Sequence, residues 1–351
     1  MALSIKESTK NVGFSAGPRH VAGWPATCRC QPASFVEMPR VLIIKPSSLG
    51  DIVHGLQVAQ SLKAQMPEAE VDWVAAKAFA PLVEACTAVR RVHLFERHGP
   101  LTAYGRLAGE IRREQYDWAL DMQGLARSAL LLMASKAKRK AGRADAREGA
   151  KWLYPLKPVL PGDGAHSHAL DILLNFLPLL GLRAKLDGPL TFQAVKRGVF
   201  PEGLLERRPV VMFPDSRRPK KEWGGFFELT KRLLETRPDL PIVWAGNNGP
   251  EPGLDWPEAR YWNLLGRTPL ETLPALLGAA RLVVCNDSGP MHLAAALERR
   301  VVALFGPTNP ARFGPYPLDS RRHFIVRAPE DRMDRLEVDY VYEVVAGAAK
   351  E

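Results

Sequence analysis

Val41-Leu42-Ile43-Ile44-Lys45-Pro46-Ser47-Ser48-Leu49-Gly50-Asp51 is the stretch on which the fold turns. Its first five residues read as a short buried strand. Pro46 and Gly50 punctuate a loop, and from Asp51 a helical pattern runs to about residue 65. The same strand, loop and helix recur outward from this unit. Strand-like runs fall at 71–75, 92–95 and 117–122, with helical patterns at 102–115 and 124–134. A strongly apolar helix is expected over 168–181, and the pattern lapses near 195–208. The alternation then restarts with strands at 209–213, 241–245, 282–285 and 301–305 and helices near 224–236, 270–278 and 290–298. Strands separated by helices imply parallel sheets with right-handed crossovers. Two such series predict an α/β protein of two Rossmann-like, doubly wound domains, 38–200 and 201–325, with a helical tail over 326–351 whose helix spans about 334–347.

At 351 residues, 46% of them apolar, the chain can build two buried cores. Residues 1–37 mix Gly, Pro, Ser and small residues without period, which reads as a disordered extension or a mis-set start, with Met38 the functional beginning. No run of 18 or more apolar residues and no apolar signal core occur, so neither a membrane-spanning helix nor a cleaved leader is expected. The four cysteines make no disulfide framework, and the expected location is the cytoplasm. The net charge of +10 is uneven, with half of it between Lys136 and Lys151, where seven basic residues meet only Asp145 and Glu148. Such a cluster attracts phosphates of any kind, or is simply a solvated helix face.

Ligands of parallel α/β sheets gather at the carboxyl ends of strands. Three loops in those positions carry chemistry. In Ser47-Ser48-Leu49-Gly50-Asp51, Gly50 leaves room for a substrate beside the backbone. Asp51 is either a helix cap or a general base towards a hydroxyl, the latter if a dry cleft raises its pKa. The helix it opens also carries His54. In Asp215-Ser216-Arg217-Arg218-Pro219-Lys220-Lys221, four basic residues within five positions suit a pyrophosphate. In Asn286-Asp287-Ser288-Gly289-Pro290-Met291-His292, a capped helix start with a glycine makes an anion site, and capping alone gives no reason for His292. Neither Gly-x-Gly-x-x-Gly after a strand nor a P-loop is present. His166 and His168 lack a third ligand and read as structural or substrate-facing. With no Asp-x-Asp motif either, phosphate neutralisation falls to side chains and helix ends.

Lys45-Pro46-Ser47-Ser48-Leu49-Gly50-Asp51-Ile52-Val53-His54, Asp121-Met122-Gln123-Gly124-Leu125, Asp287-Ser288-Gly289-Pro290-Met291-His292 and Phe305-Gly306-Pro307-Thr308, in this order over about 38–345, resemble the lipopolysaccharide heptosyltransferase family, glycosyltransferase family 9. With Gly142-Arg143 and Arg147-Glu148, the pattern is most similar to heptosyltransferase I. The resemblance implies a GT-B fold and inverting transfer of heptose from ADP-heptose to the Kdo sugar of lipid A, without an essential metal or other cofactor. It implies that Asp51 deprotonates the acceptor and that Lys221 neutralises the departing diphosphate. Ser216, Arg217, Asp287, Ser288, Gly289 and His292 would hold the donor, with Glu251 on its ribose. Ser47, Ser48, Gly50, Arg143 and Arg147 would meet the acceptor. Ser288 stands where many members have Thr, which keeps the hydroxyl; residues 1–37 match nothing in the family. The partners so implied are ADP-heptose, Kdo-lipid A and the cytoplasmic face of the inner membrane, not nucleic acid. Rivals are a heptosyltransferase II-type acceptor, a sugar-nucleotide epimerase on the same fold, and a non-catalytic binder of phosphorylated glycolipid or nucleic acid.

Overall fold

The computed structural model describes residues 38–195, 198–247, 256–257 and 259–350. The first lobe runs β1 (Arg40–Ile44), α1 (Leu49–Gln65), β2 (Glu70–Ala76), α2 (Ala80–Ala85), β3 (Arg91–Phe95), α3 (Leu101–Arg113), β4 (Trp118–Asp121), α4 (Ala126–Ala134) and β5 (Arg139–Gly142). Its sheet has the order β3-β2-β1-β4-β5, parallel throughout. Short 3-10 turns and α5 (Ala169–Leu174) lead to the second lobe. That lobe comprises β6 (Val210–Phe213), α6 (Phe226–Thr236), β7 (Ile242–Trp244), β8 (Tyr261–Asn263), α7 (Leu273–Ala279), β9 (Leu282–Asn286), α8 (Gly289–Ala296), β10 (Val301–Phe305), α9 (Pro310–Phe313), β11 (His323–Arg327) and α10 (Val338–Ala348). The order here is β11-β10-β9-β6-β7-β8, again parallel. Each sheet follows the doubly wound order, which reverses direction between β1 and β4 in the first and between β6 and β9 in the second.

The apolar pattern explains the layers. On β1, Val41 and Ile43 face one core while Leu42 and Ile44 face another, so the strand is covered on both sides. Val41 and Ile43 belong to the same continuous apolar cluster as Val211, Val283 and Met291 of the second lobe. Helices join the lobes within that cluster: Ile52, Val53 and Leu56 of α1, Leu170 and Leu173 of α5 and Leu293 of α8 all enter it.

Four sequence expectations are corrected. The helix expected over 168–181 is α5 followed by a 3-10 turn at Leu177–Leu180. Pro178, which lacks an N–H and crowds the preceding turn, explains why no α-helix continues there. The basic stretch is not a solvated helix face, because Arg139–Gly142 forms the edge strand β5. The last helix begins at Val338 rather than 334, after a 3-10 turn at Met333–Arg335. The tail beyond residue 325 is also not purely helical, since β11 extends to Arg327.

Candidate active site

Both reversals of strand order place a loop where a ligand has open access to strand ends. At the first, β1 delivers Lys45 and then the Ser47–Ser48 loop into α1. The Lys45 side chain is only 2% exposed, and its Nζ lies 3.2 Å from Asp51 Oδ1. Ser48 donates to Asp51 Oδ2 twice, from its backbone N–H at 3.2 Å and from its hydroxyl at 2.7 Å. Asp51 is therefore a cap and a paired anion at once. Its side chain remains 42% exposed. Burial pushes the Asp51 carboxyl up, but the Lys45 ammonium, the Ser48 hydrogen bonds and the field of His54 outweigh it and hold the pKa well below the usual carboxylate range. The raised pKa expected of a general base is thus corrected: the carboxylate is held ionised, and its basicity is reduced by its partners. Burial, aided by the Arg143 charge, lowers Lys45.

The β4 end completes this half. Asp121 Oδ1 accepts from the backbone N–H groups of Gln123 and Gly124 at 2.9 and 3.1 Å, and Tyr154 donates to Oδ2 at 2.6 Å. This fixes the loop and leaves Gln123 Oε1 buried without a partner among the described residues. Arg143 grips Asp145 bidentately at 2.8 and 2.6 Å, so its fork is already engaged. The Arg147 side chain is exposed, its backbone N–H bonding Gly124 O at 2.9 Å. Glu148 accepts from Ala126 N at the start of α4, at 3.1 Å.

At the second reversal, buried Asn286 staples the basic loop to β9, accepting from Trp223 N at 3.2 Å and donating to Pro214 O at 3.0 Å. Lys221 is ion-paired with Asp287, whose same oxygen accepts from Thr308 Oγ1 at 2.6 Å. Ser288 is the N-cap of α8, and its hydroxyl is buried with no partner among the described residues. Ser216 Oγ accepts from Arg218 N at 3.4 Å. Arg217, Arg218, Lys220, Lys221, Pro307 and Thr308 line an open cavity of about 400 Å³. An orphaned hydroxyl and a helix N-terminus beside four cations suit a diphosphate.

The two halves meet where α1 and α8 begin. A Cβ on Gly50 would lie 2.5 Å from the His292 ring, and one on Gly289 would lie 2.5 Å from Leu49, so only glycine permits this approach. His54 Nε2 and His292 Nδ1 share a hydrogen bond of 3.1 Å across the junction. His168 stacks edge-on against His54, with its Nε2 donating to Gly314 O at 3.1 Å. Burial lowers His292 to about 4, against the raising fields of Asp287 and Asp51; His54 is lowered by burial and by its two imidazole neighbours. His292 thus feels Asp51 from one lobe and Asp287 and Lys221 from the other.

Of the residues expected from sequence, the structure gathers Ser48, Gly50 and Asp51 on one lobe and Lys221, Asp287, Ser288, Gly289 and His292 on the other. Ser216 and Arg217 stand on the same basic loop as Lys221. Glu251 lies outside the described residues. Sequence reasoning gave no role to Lys45, His54, Gln123, Asn286 or Thr308; for Lys45 the signals were a lysine closing an apolar strand and its place at the head of the motif shared with the family.

A sequence model of glycosyltransferase family 9 (heptosyltransferase) matches residues 104–339. The chain is 28% identical to lipopolysaccharide heptosyltransferase 1 of Escherichia coli K12 over 325 residues, covering 87% of this chain and 98% of that protein. It is equally 28% identical to lipopolysaccharide heptosyltransferase 2 of Salmonella typhimurium, over 294 residues, 77% of this chain and 84% of that one. The E. coli heptosyltransferase WaaC with ADP superposes with a TM-score of 0.73 at 24% identity, covering 88% of this chain and 100% of that chain, a likeness that bears on fold and identifies it as GT-B. Matched over most of its length and built on this fold, the chain belongs to glycosyltransferase family 9, the heptosyltransferases, and is a glycosyltransferase.

Proposed function

We propose that the enzyme transfers heptose from ADP-heptose to the Kdo residue of lipid A, inverting the anomeric centre in one displacement at the cytoplasmic face of the inner membrane. The observation that carries this reading is the junction of α1 and α8, where Gly50 meets the His292 ring and the 3.1 Å His54–His292 contact brings the Asp51 end of one lobe against the Lys221–Asp287 end of the other. The acceptor hydroxyl oxygen attacks the anomeric carbon as the bond to the diphosphate oxygen breaks. The hydroxyl proton passes to Asp51. The charge released on ADP meets Lys221 Nζ, the Ser288 hydroxyl and the free N–H groups of α8. Gln123 Oε1, buried with no donor among the described residues, is the acceptor atom that an entering sugar hydroxyl would satisfy.

A heptosyltransferase 2-type acceptor, an existing heptose, is the second reading, favoured by the equal identity to a relative of that kind. The deciding experiment incubates the protein with ADP-heptose and either Kdo-lipid A or its heptosylated product, and weighs the lipid by mass spectrometry. A heptose added only to the second acceptor selects the second reading, and conversion of ADP-heptose with no acceptor present selects an epimerase. In the same assay Asp51→Asn is expected to lower turnover about 10²–10⁴-fold, the usual worth of a general base; normal turnover would leave Asp51 a cap alone. Because side chains and a helix end neutralise the diphosphate in this proposal, a chelator in the reaction is expected to leave the rate unchanged.

A further inference from the structure

Six of the fifteen large hydrophobic residues exposed in the described chain fall within residues 130–159: Leu130, Met133, Trp152, Leu153, Leu156 and Val159. Trp152 is 82% exposed and Val159 84%. The core does not require this. The turn after β5 is anchored inward by Ala150 and Tyr154, both buried, which leaves Trp152 and Leu153 outside. Hydrogen bonds tie the pieces into one strip. Lys140 of β5 accepts at its carbonyl from Leu156 N at 3.3 Å and sends its ammonium to Met133 O at 2.9 Å. Leu130 lies one helical turn before Met133, on the same side of α4. Lys157 folds its ammonium back onto Tyr154 O at 3.1 Å, and Lys151 stands 5.0 Å over the Trp152 ring.

The charge of the strip points to its partner. Lys140, Lys151 and Lys157 direct their ammonium groups at backbone carbonyls or an aromatic ring, so their charge is not neutralised by those contacts. An indole beside lysines, flanked by aliphatic side chains, matches the depth profile of a bilayer interface, with the ring at headgroup level and the ammoniums among lipid phosphates. The strip also adjoins the cleft. β5 runs parallel to β4, so its end at Gly142 shares an edge with the Gln123 loop, and residues 143–149 lead from there to Trp152.

We propose that this strip, centred on Trp152, docks the protein on an anionic lipid bilayer and thereby brings a lipid-borne acceptor to the open edge of the first lobe. The use of the docking rests on the acceptor reading above, whereas the docking itself needs no sugar nucleotide. The test sediments the full chain with vesicles of phosphatidylcholine alone and of phosphatidylcholine mixed with phosphatidylglycerol. Binding is expected to the mixed vesicles and to weaken with salt. Lys151→Gln should lower partitioning about fivefold, the usual effect of one basic residue at such a surface. The double variant Trp152→Ser, Val159→Ser should lower it further, with the circular dichroism spectrum and turnover on a deacylated, water-soluble acceptor unchanged. Equal partitioning of parent and double variant, or binding indifferent to phosphatidylglycerol, overturns the proposal. So does a parent that sediments as a dimer while the variant is a monomer and vesicle binding is unaltered, which would make the strip a contact between copies. Variant-sensitive vesicle binding without transfer to any acceptor would keep the docking and sink the transferase reading; transfer to soluble acceptor without vesicle binding would do the reverse.

Discussion

Asp51 shows how one side chain can answer two descriptions. Its hydrogen bonds to Ser48 are those of a residue securing a helix start, and its 3.2 Å contact with Lys45 is that of an ion pair buried on the lysine side. Burial raises the carboxyl, and the Lys45 ammonium is the largest influence holding it down. Lys45→Met is therefore expected to raise the Asp51 pKa and move the acid limb of the kcat/KM profile to higher pH, without shifting ADP affinity to match. An unmoved acid limb would show that Lys45 does not set the basicity of Asp51. The sequence already displayed Asp51, Lys221 and the Asp287–His292 run, because loops at strand ends are recognisable from local pattern. It did not display Lys45 as the partner of Asp51, since only folding turns the residue after β1 back over the helix that follows.

At the scale of elements, α1 and α8 are joined by a histidine pair separated by 238 residues in sequence, a distance over which no periodicity reports. Both imidazoles are lowered, first of all by burial, with His168, Lys45 and Lys221 pushing the same way and Asp51 and Asp287 opposing. An imidazole lowered in the folded state binds fewer protons there than in the unfolded chain, where it titrates at about 6.5. Stability is then complete above that pH and declines as the pH falls from it towards the value of about 4 held by His292. Thermal unfolding should show a midpoint that drops across this window, and His54→Gln should flatten the drop. An identical slope in the variant would exclude the pair as its source. Of the edge strands, β3 was read at 92–95, but β5, β8 and β11 were beyond the sequence. β5 and β11 carry Arg, Lys and His at positions where a buried strand shows aliphatic residues, because an edge has one wet flank. The interior strands β1, β4, β6, β9 and β10 were legible since both of their faces are covered.

For the whole molecule, no helix among the described residues is long and apolar enough to cross a membrane. On the acceptor reading proposed above, the exposed strip around Trp152 is the surface that meets a lipid-borne acceptor. The positive charge concentrated between Lys136 and Lys151 makes part of that attraction electrostatic. Transfer to an acceptor embedded in anionic membrane is expected to fall with ionic strength more steeply than donor binding does, because the surface charges are screened within about 8–10 Å at physiological salt while the Lys221–Asp287 cradle is largely enclosed. Parallel salt profiles would argue against a charged surface step. The doubly wound character of both lobes followed from alternation alone; that the lobes share one continuous apolar cluster did not, because it depends on which helix faces meet.

The meeting of Gly50 with His292 and of Gly289 with Leu49 brings the amino ends of two helices nose to nose. Each such end carries roughly half a positive charge, so like poles confront one another across the junction. Asp51 is the negative countercharge within the first turn of one of them. Removing that charge in Asp51→Asn should leave the converging poles hungrier for an anion: ADP is expected to bind the variant more tightly even as chemistry slows. A single substitution would thus drive affinity and catalysis in opposite directions, which calorimetric titration alongside the rate assay would reveal.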